Sequence, residues 1–77
     1  MLYLVLKQLT KERATYEYYP NGGKLFGVVS VDLKTGKCKL EKKETQAGTM
    51  FSTMALSGIK NMFNENSFPE RKMVAWY

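Results

Sequence analysis

The sequence predicts an α+β domain, a five-stranded antiparallel sheet built in the order β-β-β-β-α-β with one helix packed on one face. Three observations carry this. Side chains alternate between two sets in five stretches, the period of a strand. A single stretch, beginning near Thr49, spaces its apolar residues as a helix does. Turn-forming residues punctuate the first four alternating stretches.

The first strand spans Leu2 to Leu9, with Leu2, Leu4 and Leu6 on one side and Tyr3, Val5 and Lys7 on the other. Thr10-Lys11-Glu12 turns the chain into a second strand, Arg13 to Tyr19, where Ala14, Tyr16 and Tyr18 oppose Thr15, Glu17 and Tyr19. Pro20-Asn21-Gly22-Gly23 ends it: Pro presets φ, and Asn-Gly and Gly-Gly accept positive φ. The third strand, Lys24 to Leu33, carries Leu25, Gly27, Val29, Val31 and Leu33 on one face and Phe26, Val28, Ser30 and Asp32 on the other. Both sets are apolar through the middle, which suggests a central strand covered on both sides. Gly36 suits the left-handed position of the following turn. The fourth strand, Lys37 to Lys43, turns Cys38 and Leu40 inward and Lys37, Lys39, Glu41 and Lys43 outward, a pattern that protects an exposed edge.

Thr45 to Gly48 links to a helix over 49–64. Phe51, Ala55, Ile59, Met62 and Phe63 form its sheet-facing stripe, and Met50, Met54 and Met62 read as core packing rather than a cofactor box. Thr49 is the expected N-cap. Ser52, Ala55 and Gly58 are small enough for close approach to the sheet. Asn64 to Ser67 frays the end, and Pro69 forbids continuation. Residues 71–77 alternate again, Met73, Ala75 and Tyr77 against Lys72, Val74 and Trp76, and give the fifth strand.

Short turns make the first four strands a meander. The helix then returns the chain so that the fifth strand lies antiparallel to the first, giving the sheet order 4-3-2-1-5. A right-handed crossover to pair with the fourth strand is the alternative. The first arrangement is preferred because it leaves the charged fourth strand at an edge. One helix covers one face, whereas apolar and aromatic side chains occur on both. Alternation does not say which set meets the helix, but one set remains uncovered, and such a patch usually marks a binding surface.

Composition bounds the function. The 77 residues suffice for one domain, 1–77, whose burial is marginal at this size. One cysteine and no histidine leave no intrachain disulfide and no expected zinc site, so self-association is the expected reinforcement. No metal or other cofactor is expected. The net charge of +5 rests on ten Lys and two Arg against seven acids and reads first as solubilising charge. The apolar start Met1–Leu6 lacks a basic leader region and a cleavage site and is interrupted by Lys7, so it reads as a strand. No stretch approaches the ~18 apolar residues of a membrane span. A lone thiol without an export signal points to the cytoplasm.

No catalytic constellation appears. Gly22-Gly23-Lys24 matches only the tail of a phosphate-binding loop, without the earlier Gly, the following Ser or Thr, or a helix. Cys38 has no His to activate it, and the carboxylates are scattered. The chain therefore reads as a non-enzymatic interaction module, with Tyr3, Tyr16, Tyr18, Phe26 and Trp76 as its candidate interaction surface, that forms a homodimer or other homo-oligomer through the uncovered face. The alternative is a single-stranded nucleic-acid binder, with Tyr16, Tyr18, Tyr19, Phe26 and Trp76 as a stacking platform flanked by Arg13, Lys24 and Lys39.

The tyrosine-rich second strand, Gly27-Val28-Val29-Ser30-Val31-Asp32 before the Thr35-Gly36 turn, and the ending Phe68-Pro69-Glu70 with Ala75-Trp76-Tyr77 resemble short uncharacterised bacterial proteins. The resemblance implies no activity.

Overall fold

The computed structural model describes residues 2–20, 24–44 and 50–74. Its elements are β1 (Leu2–Leu9), β2 (Arg13–Pro20), β3 (Gly27–Asp32), β4 (Cys38–Lys42), α1 (Met50–Glu65) and β5 (Arg71–Val74). The five strands form one sheet in the order β4-β3-β2-β1-β5, with every neighbouring pair antiparallel. This is the arrangement that places β5 beside β1 and leaves the charged β4 at an edge.

The helix packs on the face that carries Leu2 and Leu4 of β1, Ala14, Tyr16 and Tyr18 of β2, and Val29 and Val31 of β3. Ala55, Ile59 and Met62 of α1 complete the fully buried core, with Phe51, Met54 and Phe63 packed at its margin. Each of these side chains leaves water with most of its apolar area, the main favourable term of folding. Ser52 and Gly58 are buried too. A methyl group on Gly58 would sit 3.0 Å from Leu4 Cδ1, so the small residues let helix and sheet approach closely.

Two irregularities redirect the alternation. In β1 the register slips between Leu6 and Gln8, leaving Lys7 as an extra residue, and Leu9 then pairs Ala14. Between β3 and β4 it slips at Val28/Val29, so that Lys42 pairs Val28, Lys39 pairs Ser30, and Glu41 is the extra residue. Extra residues of this kind bend and twist a strand locally.

The turn chemistry follows local hydrogen bonding. The Thr10 hydroxyl oxygen accepts from the Arg13 amide at 3.0 Å. Asp32 Oδ1 accepts from the Lys34 amide at 2.8 Å, and Gly36 has φ of 77°, the left-handed value expected from its place in the turn. The Lys60 ammonium of α1 donates to the Gly36 carbonyl at 2.9 Å and ties this turn to the helix.

Several boundaries differ from expectation. β3 begins at Gly27 rather than Lys24, because Tyr18–Gly27 is the last pair of the β2–β3 ladder. β2 runs on to Pro20, which pairs Leu2 only, a strand-end position that needs no N–H toward β3. The end of α1 does not fray. Asn66 takes φ of 53°, the Ser67 amide donates to the Met62 carbonyl and the Asn66 amide to Phe63, a Schellman closure with Asn in the left-handed position. The Asn21–Gly23 turn, the 45–48 link, the Thr49 N-cap and residues 75–77 of the expected fifth strand lie outside the described residues.

Candidate functional site

The face of the sheet away from α1 is the open surface, and cross-strand register gives its layout, since directly paired residues share a face. One row runs Met73–Tyr3–Tyr19, with Phe26 stacked on Tyr19 at 5.4 Å between ring centroids. The next runs Arg71–Val5–Glu17–Val28–Lys42. A third joins Gln8, Thr15, Ser30 and Lys39, and Arg13–Asp32 closes the far end.

The first row is the aromatic end. Tyr3 is 40% and Met73 52% exposed, while Tyr19 and Phe26 are half-buried against each other. Lys42 Nζ lies 4.1 Å from the Phe26 ring centroid, a cation–π contact. The Tyr19 hydroxyl donates to Glu17 Oε1 at 3.0 Å, and burial, with that carboxylate beside it, pushes the phenol above its ordinary range.

The far end is ionic. Glu41 Oε2 accepts from the Ser30 hydroxyl at 3.1 Å and lies 3.5 Å from Arg13 Nη1, while its Oε1 lies 3.5 Å from Lys39 Nζ. The Ser30 bond, with Lys39 and Arg13 beside it, holds the Glu41 carboxyl below the usual carboxylate range. Beside this cluster lies a cleft of about 340 Å³ lined by Arg13, Ser30, Asp32, Lys37, Cys38 and Lys39.

Between the ends the face closes on itself. Val28 is only 7% exposed and Ser30 3%, although α1 packs on the opposite side. The apolar middle of β3 is thus sheltered by flanking side chains on one face and by the helix on the other.

The sequence-predicted surface divides. Tyr3 and Phe26 lie on the open face. Tyr16 and Tyr18 do not: both are fully buried on the helix side, which corrects their placement in an interaction surface or stacking platform. The reason is the register, because Tyr3 pairs Tyr19, and the alternation of β2 then sends Tyr16 and Tyr18 inward. The Tyr16 hydroxyl donates to the Pro69 carbonyl at 2.6 Å. The Tyr18 ring lies over Gly27, where a side chain would collide with it, and its hydroxyl donates to Glu44 Oε1 at 2.8 Å. Trp76 lies outside the described residues. Of the flanking cations, Arg13 and Lys39 line the cleft.

Tyr19, expected only in the stacking platform, lies on the open face, and Met73, Lys42 and Arg71 join it without having been in either predicted surface. A signal was present for Tyr19: its set in β2 includes Thr15 and Glu17, and the more polar set of a one-sided strand faces solvent.

Cys38 is half-buried, and burial pushes its thiol up, with Lys60 pulling the other way, so it is poorly suited to nucleophilic work. Among the described residues no three His, Cys, Asp or Glu side chains come together to hold a metal, and no helix is long and apolar enough to cross a membrane. Comparison of the chain with protein-family models, with curated proteins and with solved structures found no match.

Proposed function

We propose that this protein is a non-enzymatic interaction module that self-associates through the aromatic end of its open sheet face. The observation that carries the reading is the Met73–Tyr3–Tyr19–Phe26 row, which runs across the sheet with Tyr3 and Met73 exposed while the opposite face is packed under α1. Tyr and Met are favoured where a surface is buried on association. A domain of 77 residues also gains proportionally more from a partner subunit than a larger one does.

Sedimentation equilibrium across a wide concentration range tests this. The mass should rise from monomer toward dimer, and Met73→Lys should return it to monomer while the circular dichroism stays unchanged. A wild-type chain that stays monomeric at the highest concentration sinks the proposal.

A second reading, single-stranded nucleic-acid binding, is favoured by Lys42 set over the Phe26 ring, which itself stacks on Tyr19. It predicts a monomer whose binding to an oligonucleotide weakens steeply with salt.

A further inference from the structure

We infer that the cleft at the ionic end of the open face binds a phosphate group. This goes beyond the self-association proposed above and is separable from it. Arg13 and Tyr19 are six residues apart on β2, which at ~3.3 Å per residue puts about 20 Å between the cleft and the aromatic row.

Three cations from two strands and a turn line the cleft: Arg13 opens β2, Lys37 precedes β4, and Lys39 lies within it. Ser30, only 3% exposed, adds a hydroxyl at a fixed position. These donors already converge on one oxyanion, because Arg13, Lys39 and Ser30 all reach the Glu41 carboxylate. Glu41 thereby marks the geometry the donors adopt around negative oxygen. It supplies a single charge to two cations, and the Lys37 ammonium has no ion pair among the described residues. Asp32 also lines the cleft, but its Oδ1 is committed to the Lys34 and Thr35 amides of the turn. Three cations against Asp32 and Glu41 leave the cleft positive, in a chain of net charge +5.

Phosphate fits this site better than a second carboxylate. A phosphomonoester carries more charge and offers three terminal oxygens, so Arg13, Lys37 and Lys39 can each meet one, whereas a strand link offers two such oxygens and a single charge and engages fewer of these cations. A volume of about 340 Å³ leaves room for the group that bears it. That group can be a small phosphomonoester or one link of a nucleic-acid strand.

The test is a titration of the isotope-labelled full chain, followed by amide chemical shifts, with inorganic phosphate, with adenosine monophosphate and with single-stranded oligo-dT, each against sodium chloride of matched ionic strength. Inorganic phosphate should move the Ser30, Lys37 and Lys39 amides saturably. Arg13→Gln with Lys39→Gln should weaken binding about tenfold or more, the scale of lost charge-assisted bonds. Glu41→Gln should tighten it, since it removes the resident competitor. If adenosine monophosphate binds at least as tightly as an oligo-dT link, the source is a small phosphoester. If oligo-dT binds far more tightly and also shifts Tyr19 and Phe26, the source is a strand. The proposal is overturned if phosphate produces no saturable shift, if chloride produces the same shifts, or if Glu41→Gln leaves binding unchanged or weaker.

Discussion

Tyr18 shows how one side chain can belong to the core by its ring and to a polar contact by its tip. The ring covers Gly27 in the neighbouring strand, and the hydroxyl both donates to the buried Glu44 carboxylate and accepts from the Glu44 amide at 3.4 Å. Gly27→Ala should therefore cost about 1–3 kcal/mol, the usual range for forcing extra volume into a packed site, and urea unfolding would measure it. Tyr18→Phe keeps the ring but strips a buried carboxylate of its donor, so it should destabilise by about 1–3 kcal/mol as well. A Tyr18→Phe chain as stable as wild type would show that Glu44 finds another partner. The two buried tyrosines also give stability a pH dependence. Burial pushes both Tyr16 and Tyr18 up to about 12, with the Glu44 hydrogen bond adding to the shift at Tyr18. In the unfolded chain they titrate near ~10. Between these values the unfolded state has released protons that the folded state still holds, so stability is full below about pH 10 and falls as pH rises toward about 12. Urea midpoints measured on both sides of about pH 10 should show that fall, and replacing both tyrosines by Phe should flatten it.

At the scale of elements, the helix is the part whose role was most legible. Its apolar spacing alone named Ala55, Ile59 and Met62 as sheet-facing, and all three are fully buried. Ile59→Ala should cost about 2–5 kcal/mol, and an unchanged thermal midpoint would mean that the site had collapsed without a cavity. The helix end was less legible. Asn64 to Ser67 looks like fraying in the sequence, because Asn is a weaker marker of the left-handed closing position than Gly. Asn66→Ala should then lose about 1 kcal/mol, and Asn66→Gly should not, a contrast that thermal unfolding resolves. The sheet was legible in its order but not in its sidedness. Alternation places Tyr16 with Tyr18 and apart from Tyr19, yet whether that set meets the helix depends on long-range packing and on the pairing of β1 with β2. The slips at Lys7 and Glu41 were invisible for a related reason: an extra residue is defined by its partner strand, and nothing in the local sequence of LKQL or LEKK announces it. The ionic cleft depends on the second slip, since Glu41 is the extra residue at which its donors meet.

For the whole molecule, one fold separates two chemistries on a single face. The row Met73–Tyr3–Tyr19–Phe26 offers apolar and aromatic surface, and the Arg13–Lys39–Glu41 end offers charge. The two proposed uses of this face respond to salt with opposite sign. Each chain carries +5, so two copies approaching one another repel, and added salt screens that repulsion over a Debye length of about 10 Å at ~0.1 M. Burial of the aromatic row is itself nearly insensitive to salt of this concentration. Self-association should therefore hold constant or strengthen as sodium chloride is raised from about 0.05 to about 0.5 M. Binding of a nucleic-acid strand should do the reverse, since each Lys or Arg that meets a phosphate releases condensed counterions, and that release is worth less in salt. Sedimentation of the chain alone, repeated across this series, gives the first slope; fluorescence anisotropy of a labelled oligo-dT gives the second. A dimer that dissociates as salt rises would place ionic contacts rather than the aromatic row at its interface, and would move the self-association site to the Arg13–Lys39–Glu41 end of the face.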